Sequence, residues 1–211
     1  MKPYGAFLVE SLHTVQSVFN FWCEMQGKRK RLADRPEIIL EAAASVLLKG
    51  GARALTIDAV AAEAGLSKGG VLHHYASKDA LIAALVAREF ARVRQEIAAC
   101  EAAIPPGPSQ LPKAMVAHVR AHYCAKDESS RALLLASLDS PEALKDYHAF
   151  VADQLGRVSQ IQGACPGEGS VLFFAILGLF IGRALGFHQL GEAELQPMLA
   201  ALERMAGRSD A

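Results

Sequence analysis

The chain has 211 residues, 52% hydrophobic and 21% charged, and its 22 basic and 22 acidic side chains give a formal net charge of zero. That is enough apolar material for a sizeable core in one or two domains, and it excludes a whole-protein electrostatic pull on a polyanion. Cys23, Cys100, Cys124 and Cys165 are scattered with no C-x-x-C, which suits a reducing cytoplasm better than a disulfide framework.

Residues 1–24 carry one lysine before a stretch interrupted by Glu10, His13, Gln16 and Asn20, with no small-residue cleavage pattern, so no secretory leader is read there. Phe7, Leu8, Ser11, Leu12, Val15, Val18, Phe19 and Trp22 recur at helical spacing. Two readings stand: an extra amphipathic helix packed on the body, or a translation start at Met25. Across residues 25–78 basic side chains outnumber acidic ones nine to five, helped by the run Lys28, Arg29, Lys30, Arg31; residues 79–211 hold twelve against fifteen. The run is either a solvated surface or the footprint of a half that meets nucleic acid.

Pro36 suits the first turn of a helix, and Ile38, Ile39, Ala42, Val46 and Leu47 give that helix an apolar face to about Leu48, where Gly50 and Gly51 end it. Thr56 then caps a short helix with Asp58 in its first turn and Ile57, Val60, Ala61 and Ala64 on one face. Gly65 stops it in the left-handed conformation that glycine takes without penalty. Leu66 fills the corner, Ser67 caps a second helix, and Val71 and His74 face inward. This is a helix-turn-helix pattern. The outer face of the second helix carries Ser67, Lys68, Gly69, Gly70 and His73, with Lys78 beyond its end. Lysine, serine and hydroxyl or amide donors suit phosphate oxygens, and glycines let a backbone come close. The candidate DNA-binding set is Thr56, Ser67, Lys68, Gly69, Gly70, His73, His74 and Lys78. The competing reading is a pair of short amphipathic helices that never meets DNA.

The wider pattern is more specific. The opening helix IILEAAASVLLKGGARALT, the segment TIDAVAAEAGLSKGG and then HHYASKDALIAALV resemble the N-terminal DNA-binding domain of the tetracycline-repressor (TetR/AcrR) family, over about 60 residues. Where that family often places a Tyr used as a phosphate donor, this chain has Leu72, so the contact is lost or passes to His73. The resemblance implies an all-α fold, with an N-terminal three-helix DNA-binding domain and a larger helical ligand-binding and dimerisation domain. It also implies that Arg29 to Arg35 lie near one DNA backbone. The domains read as a 1–32 extension, a 33–93 helix-turn-helix domain and a 94–211 helical domain.

Ser77 caps a long helix from residue 78 to about 103, with Leu81, Ile82, Leu85, Phe90 and Val93 on its buried face. In the resembling family this helix joins the two domains. The loop IPPGPSQLP cannot continue it. Helices follow near 111–126, 129–139, 141–161, 169–190 and 192–206, the third begun by Ser140, Pro141 and Glu142, and no convincing strand pattern interrupts them. The segment GSVLFFAILGLFIGRALGFHQL is the most apolar, yet Arg183 breaks its run short of the ~20 residues a membrane span needs. Gly178, Gly182 and Gly186 form a smooth stripe that either packs inside one subunit or joins the last helix in a subunit interface, as the last two helices do in the resembling family.

Members of that family bind a small molecule between these helices. Candidate lining residues are Met115, His118, His122, Tyr123, Tyr147, Phe150, Phe173 and Phe174, which mix aromatic area with a few polar groups, although each is also an ordinary core residue at helical spacing. His118 and His122 sit i, i+4, but no cysteine or carboxylate stands at ligand spacing beside them, so no metal and no cofactor are expected. Cys165 in its Gly/Pro loop is the candidate thiol sensor. No Ser/His/Asp set, P-loop or dinucleotide fingerprint points to catalysis. Two functions remain: a cytoplasmic, homodimeric, ligand-responsive repressor on a palindromic operator, or an all-helical ligand-binding protein or enzyme with a helix-turn-helix that does not bind DNA. Steep loss of DNA affinity with rising salt separates them.

Overall fold

The structure, a computed structural model, describes residues 35–123, 128–160 and 166–208. The expectations for the N-terminal extension, for the basic run at 28–31, and for Cys23, Cys124 and Cys165 lie outside those residues. The described residues fold as helices with no strands among them: α1 Arg35–Ala54, α2 Ile57–Ala64, α3 Lys68–His74, α4 Lys78–Ala102, α5 Gln110–His122, α6 Glu128–Ser137, α7 Pro141–Ser159, α8 Glu168–Ala184 and α9 Glu192–Gly207.

Local chemistry sets most of the boundaries. Thr56, Ser67, Ser77 and Ser140 each cap a helix by accepting a hydrogen bond from the backbone N–H three residues on. Gly65 closes α2 at φ 65°, and its N–H and that of Leu66 return to the carbonyls of Ala62 and Ala61. The opening helix runs just past Leu48 and is broken at Gly51, as expected, where φ of 68° and ψ of −171° lie outside the helical region; a short further turn carries α1 to Ala54.

Two cores result. The first gathers Ile39, Ala43, Leu47, Val60, Val71, Leu81 and Leu85 from α1 to α4, and Leu133, Ala136 and Ala143 of α6 and α7 join it. The second holds Ile97, Met115, Val119, Tyr123, Leu172, Phe173, Leu195 and Leu199. Helix α4 runs through both, packing on α5, α6 and α7, while α6 also lies along α1. Ile38, expected on the buried face of α1, is instead exposed. Phe90 and Val93 are only half-buried: Phe90 packs at the edge of the first core and Val93 at the edge of the second, and both border a cavity.

Helix α8 ends at Ala184, short of residue 190. Gly186 at φ 78° reverses the chain, and the Phe187 N–H bonds the Gly182 carbonyl at 2.8 Å. The returning segment lays His188 on Gly182, where an added Cβ would meet the ring Nε2 at 2.6 Å. The glycine stripe therefore splits: Gly182 admits a neighbour from its own chain, Gly186 ends the helix, and Gly178 faces open space. No described helix is long and apolar enough to cross a membrane.

Candidate functional site

Helices α2 and α3 meet around Val60, Ala61 and Val71, all buried, so the far side of α3 is left free. On it Ser67, Lys68, Gly69, Leu72 and His73 are exposed, with Gly70 and His74 half-buried at its edge and the two imidazoles edge to face at 5.1 Å. Ser67 and Thr56 spend one side-chain lone pair each on their caps. Lys68 Nζ reaches Asp58 of α2 at 3.0 Å across the turn, an exposed pair worth little in stability but one that holds the ammonium at the mouth of the motif. Lys78 is more tied than expected: its Nζ donates to the Ala52 carbonyl at 2.8 Å, closing the C-terminus of α1.

The motif is braced from behind. Glu63 of α2 accepts from Ser45 and Lys49 of α1 at 2.8 and 2.7 Å, and these bonds hold its carboxyl below the usual carboxylate range. The Tyr75 hydroxyl donates to the Pro36 carbonyl at 3.3 Å, and Arg88 of α4 binds Glu37 at 2.6 Å. The reading helix is thus fixed to α1 and α4 as one unit.

Behind this unit α4, α5, α6, α7 and α8 line a cleft-like cavity of about 1040 Å³ that opens to solvent. Its aromatic end is built by Phe90, stacked on Phe150 at 4.3 Å and edge-on to Tyr147 at 4.7 Å. Burial pushes the Tyr147 phenol above its ordinary pKa. Its polar end holds Arg92, Glu96, His118 and His122. Burial lowers His118 to about 4, the neighbouring His122 adding to that effect and Glu96 opposing it. Tyr123 shares a 3.2 Å hydrogen bond with His188 and lies under the Arg183 guanidinium at 4.9 Å. Met115, His118, His122, Tyr123, Tyr147, Phe150 and Phe173 all line this one cavity. Phe174 does not: it is 53% exposed while its neighbour Phe173 is 4% exposed. The two sit about 100° apart around α8, so only one can face inward.

Residues 39–85 match the family described as bacterial regulatory proteins, tetR family, and residues 110–207 match the tetracycline-repressor-like C-terminal domain, so together the matches span most of the chain. The chain belongs to the TetR family. It is therefore a DNA-binding transcriptional regulator, a regulatory rather than a catalytic protein. Solved TetR-like structures share the fold. The multidrug binding protein EbrR in complex with malachite green is 19% identical with a TM-score of 0.61, covering 83% of this chain and 97% of its own. A transcriptional regulator from Rhodococcus sp. Rha1 is 20% identical with a TM-score of 0.60, over 82% and 94%. A TetR-family member from Streptomyces coelicolor A3 is 24% identical with a TM-score of 0.57, over 80% and 98%. No curated protein matches the sequence.

Sequence reasoning about this TetR-family chain missed several cavity groups. Phe90, expected on one buried face of α4 with Leu81 and Leu85, lies about 180° around the helix from Leu81 and about 140° from Leu85, and it lines the cavity. Gln154 of α7, fully buried with its Oε1 unpartnered, gave no signal at all. Glu96 was missed because the carboxylate beside His118 and His122 comes from α4 rather than from their own helix α5. No carboxylate stands beside the two histidines along the chain, but Glu96 stands beside them in space.

Proposed function

We propose that this TetR-family regulator is a ligand-responsive repressor: a homodimer that sets one α3 into each of two successive major grooves of a palindromic operator and releases it when an effector fills the cavity. Residues 33–93 form the reading domain, and residues 94–211 the sensing and dimerising one. Ser67, Lys68, Gly69, Gly70 and His73 face the duplex, with Thr56, His74 and Lys78 flanking. Its place of action is the cytoplasm, where the operator is.

The observation that carries this reading is Leu133. It is buried against α1 in the core that supports the helix-turn-helix, and it also lines the cavity. Helix α6 shares a second link with α4, since Ser130 Oγ donates to Glu89 at 3.0 Å and Glu89 also grips Arg92 at 2.6 Å. A ligand that shifts α6 or α4 must therefore move the reading unit, as coupling through packed elements requires. The stacked Phe90 and Phe150 and the edge-on Tyr147 favour a flat, drug-sized aromatic molecule. Malachite green, the ligand in the EbrR complex, is an aromatic molecule of that size.

Dimerisation is assigned to α8 and α9, where Val171, Phe174 and Met198 are exposed, with Phe187 exposed in the turn between them. An apolar surface of this kind calls for a partner.

The test selects duplexes from a random pool with the purified protein and follows their anisotropy as salt and malachite green are varied. The proposal expects a two-fold symmetric consensus, affinity falling steeply with salt, and release by the dye that is weakened in Phe90→Ala. Failure to enrich any duplex would overturn the repressor reading; enrichment with dye release unchanged in Phe90→Ala would overturn the choice of cavity.

A further inference from the structure

Three buried side-chain atoms among the described residues have no hydrogen-bond partner, Glu96 Oε2, His118 Nδ1 and Gln154 Oε1, and all three residues line the same cavity. Burying an unpaired polar atom costs about 1–3 kcal/mol, so a concentration of them in one chamber asks for an occupant that satisfies them. Two of the three converge. His118 Nδ1 stands 3.6 Å from Glu96 Oε2, and His122 Nε2 stands 3.7 Å from the same oxygen. These are too long for hydrogen bonds.

They are close to the separations set by a shared ion. Zinc bonds of about 2.0–2.2 Å to nitrogen and oxygen place tetrahedral ligand atoms about 3.3–3.5 Å apart. One ligand atom from each of Glu96, His118 and His122 lies within 4.8 Å of the others, so a change of a few tenths of an ångström to about an ångström closes the set.

We propose that this cavity carries a binding site for a zinc-class divalent transition ion, held by Glu96 of α4 and by His118 and His122 of α5, with the fourth position open to the chamber. Two imidazoles and one carboxylate suit a borderline ion, not the all-oxygen cages of calcium and magnesium nor the thiolates of copper(I). The i, i+4 spacing on α5 puts both imidazoles on one face, their centroids 4.6 Å apart. Arg92 binds the other carboxylate oxygen, Oε1, at 3.0 Å, which orients Glu96 with Oε2 toward the histidines in the way outer contacts support metal-ligating carboxylates. The open position would take water or a ligand atom of the effector. In that respect the inference deepens the effector reading of the cavity, but the ion site stands on its own residues.

The test titrates tag-free full-length protein, stripped with chelator, against zinc in competition with a chromophoric chelator. One tight zinc per subunit is expected, weakened about tenfold or more in Glu96→Gln and in His122→Ala, since loss of a ligand costs at least as much as loss of an outer contact. Circular dichroism establishes that each variant is folded. Cobalt(II) on the wild-type protein gives a reading that needs no variant: an intense four-coordinate visible spectrum without thiolate bands supports the site. Absence of tight zinc, zinc bound equally well by both folded variants, or a thiolate spectrum overturns it. None of these outcomes depends on DNA, so loss of the ion site leaves an organic effector in the cavity open to its own test.

Discussion

Gly69 separates the two things that α3 has to do. It is exposed, it sits within a helix at ordinary φ, and a Cβ added there meets nothing within 4 Å. For folding alone, alanine is the better residue. Replacing glycine within a helix gains about 0.5–1 kcal/mol, and the lower end applies this close to the helix start. Gly69→Ala is thus expected to stabilise the protein by about 0.5 kcal/mol, roughly 1–2 °C in Tm for a chain of this size. Under the proposed docking, the same methyl would project into the closest approach of α3 to DNA, once in each half-site of a dimer. Binding is expected to weaken by about tenfold or more, which is about 1.4 kcal/mol shared between two contacts. Thermal unfolding and anisotropy on a selected duplex read both effects from one preparation. A variant with raised Tm and unchanged DNA affinity would show that the free face of α3 does not meet the duplex closely, and the reading of that face would fall.

Lys78→Ala should weaken all duplexes alike and flatten the salt slope by about one per subunit, because a phosphate contact positions without reading sequence. Since Lys78 also donates to Ala52, a modest loss of stability of about 1 kcal/mol should accompany it, and an unaltered slope would leave only that structural bond. Gly65→Val should lose operator binding, because a β-branched residue held at φ 65° costs about 1–3 kcal/mol; normal binding would mean the turn is not needed in this form. Phe174→Glu should give a monomer by light scattering while leaving helix content intact, whereas a persistent dimer would place the interface off the exposed face of α8. In chelator, stability should fall as pH drops from about 6.5 toward 4, because the unfolded chain protonates His118 at its ordinary value while burial holds the folded ring at about 4. With the cavity open to some water, the loss by pH 5 should be about 1 kcal/mol, and an equal loss in His118→Gln by urea midpoint would assign it to other groups.

The amino-acid sequence alone determined the features that depend on neighbours a few positions away. Thr56, Ser67, Ser77 and Ser140 cap from within their own turns, Gly65 reverses the chain through its own φ, and Val60, Ala61 and Val71 mark the inner side of two short helices. Such signals are local, so they survive without any knowledge of the packing. Helix α8 shows where that ends: it is apolar on nearly every face, so no periodicity distinguishes Phe173, which lines the chamber, from Phe174, which faces outward. Only the tertiary structure decided that phase. It also decided that α6 rests on α1 and carries Leu133 into both core and cavity, and that Glu96 comes across from α4 to the two histidines of α5. These pairings join residues 22 or more positions apart, and they are set by how helices cross rather than by what stands next to what along the chain.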